Sequence, residues 1–156
     1  MKTKKKKLKT VIRPKKWVIG RNDVVDFPDL GITDVRAKVD TGAYTSAIHC
    51  YKVQLIKETL TFYLPAHRGE KHQKFETNHF ELKAIKNSFG QTEMRYVIKT
   101  KVALFGKTFL TEFSLADRQQ MRYPVLIGRK LLRNRFVVDV SLENVSYTQK
   151  LLATPV

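Results

Sequence analysis

Apolar and polar residues alternate along much of the chain with the period of two that is typical of β-strands. Apolar side chains occupy every second position of the stretches 35–39 and 60–64, and charged or polar ones fill the gaps. This pattern predicts strands with one buried and one exposed face. An earlier apolar segment, 17–20, is separated from them by Pro28 and Gly31, which are placed as turn formers.

The second half of the chain predicts further strands and one helix. Four apolar segments fit strands: 96–104, 109–115, 124–128 and 136–140. The connection from Phe105 to Lys107 contains a glycine and favours a hairpin between the first two. Residues 129–134 are typical of a brief helix. Many short strands separated by turns indicate an all-β fold, an antiparallel barrel or a sandwich.

Length and charge predict one folded domain that follows a basic tail. The 156 residues suffice for one domain with its own core. Residues 1–16 contain nine Lys and Arg and no acid, which is more than half of the net charge of +16. We therefore expect a solvated, disordered tail over 1–16 and a folded domain over 17–150. The tail could also bind nucleic acid, but no zinc finger or RNA-binding signature occurs in the rest of the sequence, so we expect no nucleic-acid partner.

Three features predict a cytoplasmic protein without membrane contact. No apolar run approaches the roughly 20 residues of a membrane span. The Lys-rich N-terminus is not followed by the apolar region of a secretory signal. The single cysteine, Cys50, excludes an internal disulfide and fits a reducing compartment.

Two segments hold candidate chemistry. The tripeptide Asp40-Thr41-Gly42 follows the strand 35–39 directly, and Gly128-Arg129 follows the apolar strand near the C-terminus. Each segment alone is weak evidence. Asp and Gly are good turn formers, so the tripeptide also fits an ordinary turn, and the second segment also fits an ordinary piece of core.

Together, and in this order, the two segments resemble the retropepsin family of aspartic peptidases. In that family Asp-Thr-Gly-Ala follows an apolar strand, and two hydrophobic residues with Gly-Arg follow near the C-terminus. The stretch Lys38 to Ala47 is similar to a longer motif of a bacterial group named ATP-dependent zinc proteases. That group is thought to work beside ATP-grasp enzymes that add glutamates to proteins. The resemblance extends over roughly Val35 to Val140 and implies a retropepsin-like closed barrel with one short helix after the Gly-Arg strand.

The chemistry implied by this resemblance needs two carboxylates. One activates a water as a base and the other protonates the substrate as an acid, and the pair titrates as a unit. Aspartic proteases are the standard example, since two carboxylates held close cannot both ionise easily. The chain has only one Asp-Thr-Gly. The resemblance therefore implies a homodimer in which Asp40 of each copy contributes to a shared dyad.

The neighbours of Asp40 receive roles from the same resemblance. Thr41 is expected to hydrogen-bond across the dimer axis. Gly42 lets the backbone approach the carboxylate, so its N–H is expected to donate to Asp40. Ala43 is small and would border the substrate.

Two residues of the second segment are predicted near the site without a catalytic role. Gly128 would allow this segment to pack closely beneath the Asp40 loop. Arg129 follows one step after the core strand, and we expect it to form a surface or interface ion pair.

Retropepsins also close a hairpin flap over the substrate, and the segment 84–95 is the best candidate for it. Substrate contacts are then predicted for Ser88, Phe89 and Gly90 at its tip, where closure would exclude water. An ordinary exposed hairpin is the alternative. The Gly-rich tip of viral flaps is missing here, and the segment 51–82 is longer than the minimal fold needs.

The sequence gives little support for zinc or ATP. No His-Glu-x-x-His helix and no phosphate-binding Gly-x4-Gly-Lys loop occur. We expect no metal and no cofactor, and we take the histidines as solvated. A zinc site built from His67, His72 and His79, which would make the protein a zinc-dependent peptidase, is the alternative.

These observations predict a homodimeric aspartic endopeptidase. Its basic charge and the association with glutamate ligases suggest glutamate-rich or polyglutamylated peptide tails as substrate. A non-catalytic binding module of the same fold, which recruits or regulates an ATP-grasp glutamate ligase, is the alternative.

Overall fold

A computed structural model of the protein describes residues 15–65, 72–87, 89–117 and 122–153. Most of the predicted basic tail, His67 and Ser88 lie outside these ranges. The strands are β1 (Trp17–Ile19), β2 (Asn22–Phe27), β3 (Ile32–Val39), β4 (Ser46–His49), β5 (Tyr51–Ile56), β6 (Thr59–Leu64), β7 (Gln73–Thr77), β8 (Glu81–Lys86), β9 (Thr92–Leu104), β10 (Lys107–Ala116), β11 (Val125–Ile127) and β12 (Phe136–Val138). The helices are α1 (Arg129–Leu132) and α2 (Val145–Ala153), and a 3-10 turn covers Pro28–Leu30.

Six strands close into a β-barrel, which confirms the predicted all-β closed barrel. Their order is β10-β4-β11-β3-β2-β9, and the β9–β10 hairpin completes the circle. The two-residue turn of that hairpin has positive φ angles at Phe105 and Gly106, as tight hairpin turns require. The barrel is not purely antiparallel as predicted, because β4 runs parallel to β10 and β11 runs parallel to β3.

The barrel interior is filled by the apolar positions that the alternating pattern selects. Ala37 and Val39 of β3 are buried, while Arg36 and Lys38 between them are exposed. The largest fully buried side chains of the core come from two barrel strands and from β1 and β6 outside the barrel: Phe27, Phe113, Ile19, Leu60, Phe62 and Leu64. Burial of such side chains is the main stabilising contribution to a fold of this size.

Two smaller sheets flank the barrel. The strands β5, β6 and β7 form an antiparallel sheet. They lie in the segment 51–82, which is longer than the minimal retropepsin fold needs. The strands β1 and β12 pair in parallel, with Val18 opposite Val137. Both valines are about half exposed, at 46% and 52%.

Helix α2 is absent from the predicted elements and packs on β2. Its first amides, Ser146 N–H and Tyr147 N–H, donate to the buried carboxylate of Asp23 at 2.9 and 3.0 Å. These bonds satisfy donors that a helix start leaves without partners. Within the described ranges, neither helix has the length and apolar character needed to cross a membrane.

Candidate active site

Asp40 directly follows β3 and is the first residue of the loop that connects β3 to β4. Its backbone N–H donates to Ile127 O at 2.9 Å, so the parallel pairing of β3 with β11 continues to the aspartate itself. The side chain is half-buried, whereas Thr41 and Gly42 are exposed. The structure thus presents the predicted catalytic tripeptide at the surface of a rigid strand end.

The loop turns back on Asp40 through two backbone N–H groups. Gly42 N–H donates to Asp40 Oδ1 at 2.9 Å, as predicted, and Ala43 N–H donates to Asp40 O at 3.2 Å. A Cβ on Gly42 would lie 3.2 Å from Asp40 Oδ1, which is tighter than most real contacts. Among the described residues, Asp40 Oδ2 has no hydrogen-bond partner, so one carboxylate oxygen is oriented and the other is available.

Gly128 packs directly against this loop. Its N–H donates to the buried Ser46 Oγ at 2.9 Å. A Cβ at this position would lie 2.8 Å from Tyr44 O and 3.0 Å from Ala43 O, and both are backbone atoms. The predicted close packing of the Gly-Arg segment beneath the Asp40 loop is therefore present. Ser46 was not predicted as part of the site, although it belongs to the Lys38 to Ala47 motif.

The first residues of α1 hold the same loop from the other side. Arg129 N–H donates to Ala43 O at 2.8 Å, and Lys130 N–H donates to Tyr44 O at 2.9 Å. Arg129 Nη1 donates to Thr41 O at 3.0 Å, and its guanidinium lies 5.8 Å from the centre of the Tyr44 ring. Among the described residues Arg129 has no acidic partner, so the side chain predicted to form an ion pair instead contacts the backbone of the loop.

A cleft of about 520 Å³ opens beside the loop. Three cationic side chains line it, from Lys16, Arg129 and Arg133, together with apolar Leu132 and Phe136. The described residues around this cleft include no acid. The surroundings of the loop are therefore electropositive, which favours acidic ligands.

The predicted flap segment forms the hairpin between β8 and β9. Asn87 Oδ1 accepts hydrogen bonds from Phe89 N–H at 3.0 Å and Gln91 N–H at 2.9 Å, and Gly90 adopts a φ of 77°. The Phe89 side chain is 90% exposed. Within the described ranges, no hydrogen bond joins this tip to the Asp40 loop, so substrate contact by Phe89 and Gly90 stays a prediction.

The histidines and the cysteine are spread over other parts of the fold. His72 is exposed and stacks edge-on against Tyr51 at 4.9 Å, and His79 is exposed near the start of β8. The described residues contain no group of three side chains that could hold a metal ion. Burial raises the pKa of the Cys50 thiol to about 12, which removes it as a nucleophile at neutral pH.

A closed barrel with an Asp-Thr-Gly loop at a strand end and a Gly-Arg turn packed beneath it defines a retropepsin-like protein. A sequence profile of the RimB-like family, described as retropepsin-like aspartic endopeptidase RimB, matches residues 18–149. The chain belongs to this family. A crystal structure of a Legionella pneumophila protein of unknown function (DUF785) has the same fold, with a TM-score of 0.69 and 23% identity over 85% of this chain and 99% of that one.

Curated relatives of the chain carry a different name. A protein of Desulfotalea psychrophila named probable alpha-L-glutamate ligase is 32% identical in an alignment of 134 positions that covers 82% of this chain and 29% of that protein. A protein of the same name from Shewanella pealeana is 34% identical in an alignment of 132 positions that covers 81% of this chain and 29% of that protein. The chain thus spans less than a third of the length of the curated relatives that it matches.

Proposed function

We propose that this chain is one subunit of a homodimeric aspartic endopeptidase, with Asp40 of two copies forming the catalytic dyad. The observation that supports it most is the state of the Asp40 carboxylate. One oxygen is held by Gly42 N–H, and the loop around it is exposed on the surface of the subunit. The family to which the chain belongs is described by the same activity.

In the proposed mechanism the two aspartates share one proton over a bound water. The ionised carboxylate removes a proton from the water as it attacks the peptide carbonyl, and the protonated one donates to the substrate. The Gly42 N–H orients each carboxylate. One subunit supplies one aspartate, so the site requires a second copy related by a two-fold axis.

The variant Asp40→Asn tests this proposal. We expect the variant to lose peptide cleavage while its mass in solution still shows the dimer, because Asn keeps the size of Asp but cannot act as acid or base. Asp29→Asn is the matched control, since Asp29 is an exposed acid in the 3-10 turn. Cleavage by Asp40→Asn at the wild-type rate, or a wild type that is monomeric while it cleaves, would refute the mechanism.

We further propose glutamate-rich peptide tails as the substrate. The net charge of +16 and the cationic cleft beside the Asp40 loop favour acidic peptides. The names of the curated relatives add the link to glutamate addition. Cleavage of a poly-glutamate peptide should fall steeply as salt is added, whereas cleavage of a neutral peptide of equal length should change little. Equal salt dependence of the two peptides would contradict this substrate.

A second candidate function is regulation of a glutamate ligase without hydrolysis. It is favoured by the relatives named probable alpha-L-glutamate ligase, in which the matching segment is about 29% of a longer chain. We propose a cytoplasmic location for either function. The two functions predict different results when the chain is added to an active glutamate ligase and the length of the ligase product is measured. A peptidase shortens the ligase product only with intact Asp40, whereas a regulator changes the product equally with Asp40→Asn.

A further inference from the structure

A buried carboxylate outside the Asp40 loop connects three elements of the fold. Glu112 lies on β10, and its side chain is only 9% exposed. One oxygen, Oε2, accepts from Lys83 Nζ of β8 at 2.9 Å, and the other, Oε1, lies 3.0 Å from Lys130 Nζ of α1. The two lysines therefore meet on opposite oxygens of one carboxylate.

This arrangement joins the β8–β9 hairpin to the residues that hold the Asp40 loop. Lys83 belongs to the first strand of the hairpin. Lys130 binds Glu112 with its side chain and donates its backbone N–H to Tyr44 O in the loop. The path from the hairpin to the loop thus needs one carboxylate and one residue of α1.

The charge state of Glu112 favours its contacts with Lys83 and Lys130. Burial by itself raises the pKa of a carboxyl group, but the hydrogen bonds from Lys83 and Lys130 outweigh it and leave the pKa of Glu112 lowered. The carboxylate is therefore charged at neutral pH. Without this negative charge, the two partly exposed ammonium groups would repel each other, and of the two only Lys83 would keep an acidic partner, Glu81.

We propose that Glu112 is a positioning residue that couples the β8–β9 hairpin to the Asp40 loop through Lys83 and Lys130. Movement of the hairpin then shifts α1 and the loop together, so that a hairpin closed over a peptide also fixes the aspartate. The role in catalysis rests on the proposed peptidase function, whereas the mechanical coupling is independent of it.

Amide hydrogen exchange of Glu112→Gln tests the coupling without any substrate. We expect exchange of the Arg129 and Lys130 amides and of the hairpin 81–95 to become roughly tenfold faster, since a charged hydrogen-bond network is lost. The sheet of β5 to β7 should exchange as before. Equal acceleration everywhere, or unchanged Arg129 and Lys130 amides, would overturn the proposal.

Glu81→Gln is the matched control. Glu81 also pairs with Lys83, at 3.2 Å, but its side chain is 67% exposed and it belongs to the hairpin itself. The same charge is removed there without breaking the path to α1, so exchange at Arg129 and Lys130 should stay within about twofold of the wild type. An effect as large as that of Glu112→Gln would show that charge alone, not the connection, matters.

Lys83→Met completes the experiment as a double-mutant cycle. In the wild-type background it should accelerate exchange at the Lys130 amide, and in the Glu112→Gln background it should add nothing. Additive effects would refute coupling through Glu112. In peptide cleavage, Glu112→Gln should lower kcat roughly tenfold with little change in KM. If the exchange results are as expected and the wild type cleaves no peptide, the coupling stands and the peptidase proposal fails.

Discussion

At the scale of single residues, the most sharply defined contact near the site is that of Gly128 with the backbone of the Asp40 loop. Gly128 has a φ of −96°, which any residue can adopt, so its need for glycine is steric. A methyl group would meet carbonyl oxygens of Ala43 and Tyr44 that cannot move without displacing the loop. We expect Gly128→Ala to lower the free energy of unfolding by about 2–3 kcal/mol in urea titrations and to abolish peptide cleavage.

Gly31→Ala separates this steric effect from backbone strain. Gly31 has a φ of 63°, but a Cβ there would meet nothing within 4 Å. Gly31→Ala should lower the free energy of unfolding by about 1 kcal/mol, because alanine is less stable than glycine in the left-handed conformation. Peptide cleavage should be unchanged. A milder effect of Gly128→Ala than of Gly31→Ala would contradict the close packing described for Gly128.

Cys50 gives a prediction about pH. Burial raises the pKa of its thiol to about 12, and the side chain is 1% exposed. The reactive thiolate is therefore populated only at high pH, and at pH 8 roughly one thiol in ten thousand is ionised. We expect alkylation of the native protein at pH 8 to be at least about a thousandfold slower than that of the urea-unfolded chain. Similar rates in the two states would show that Cys50 is accessible.

The sequence predicted those residues of the site that belong to a short local motif. Asp40, Gly42 and Gly128 lie where the motif indicated, because the tripeptide and the Gly-Arg pair encode the turn geometry themselves. Ser46 and Glu112 were not predicted as partners. Ser46 Oγ meets a backbone N–H 82 positions away, and Glu112 meets lysines of two other elements. Such contacts depend on the closed barrel and leave no periodic signal in the sequence.

At the scale of elements, the attachment of α2 depends on one carboxylate from β2. Asp23 is 1% exposed and accepts from Val24 N–H, Ser146 N–H and Tyr147 N–H. Asp23→Ala would remove the partner of the buried Ser146 N–H and of two part-buried N–H groups. We expect a loss of about 3 kcal/mol in the free energy of unfolding and fast exchange of the first α2 amides.

Glu143→Ala is the control for this prediction. Glu143 precedes α2, pairs with Arg21 at 2.6 Å where both side chains are about half exposed, and accepts from Asn22 Nδ2 at 3.1 Å. The exposed ion pair should contribute less than about 1 kcal/mol and the single hydrogen bond about 1 kcal/mol, together less than the three bonds to Asp23. Equal losses for Asp23→Ala and Glu143→Ala would mean that the charge near α2, not the buried cap, stabilises the helix.

The strands were predictable from the period-two pattern, and α2 and the parallel pairings were not. The pattern at 35–39 predicts burial on one face, which β3 shows, whereas β6 is covered on both faces because Thr61 is buried and Tyr63 is half-buried. The carboxylate that accepts from the first α2 amides comes from a residue 123 positions earlier, a contact that the local sequence does not indicate. Likewise β11 pairs with β3 although seven strands lie between them in the sequence, and local periodicity does not indicate the direction of pairing.

At the scale of the whole molecule, the net charge of +16 acts in opposite directions on the two steps of the proposed function. Two copies of a strongly basic chain repel each other as they approach, whereas each attracts an acidic peptide. Salt screens both interactions over a Debye length of about 10 Å at 0.1 M. Added salt should therefore favour the dimer and disfavour the substrate complex.

This opposition is measurable in one titration from about 0.05 to 0.5 M salt. Sedimentation should show the dimer dissociation constant falling as salt rises, because repulsion between the basic subunits is screened. Over the same range, KM for a glutamate-rich peptide should rise, while kcat at saturating peptide and protein stays level. A peptidase whose dimer weakens in salt would have an interface held by complementary charges. In that case the excess of lysine and arginine would have to lie away from the two-fold axis, and the predicted repulsion between the subunits would be refuted.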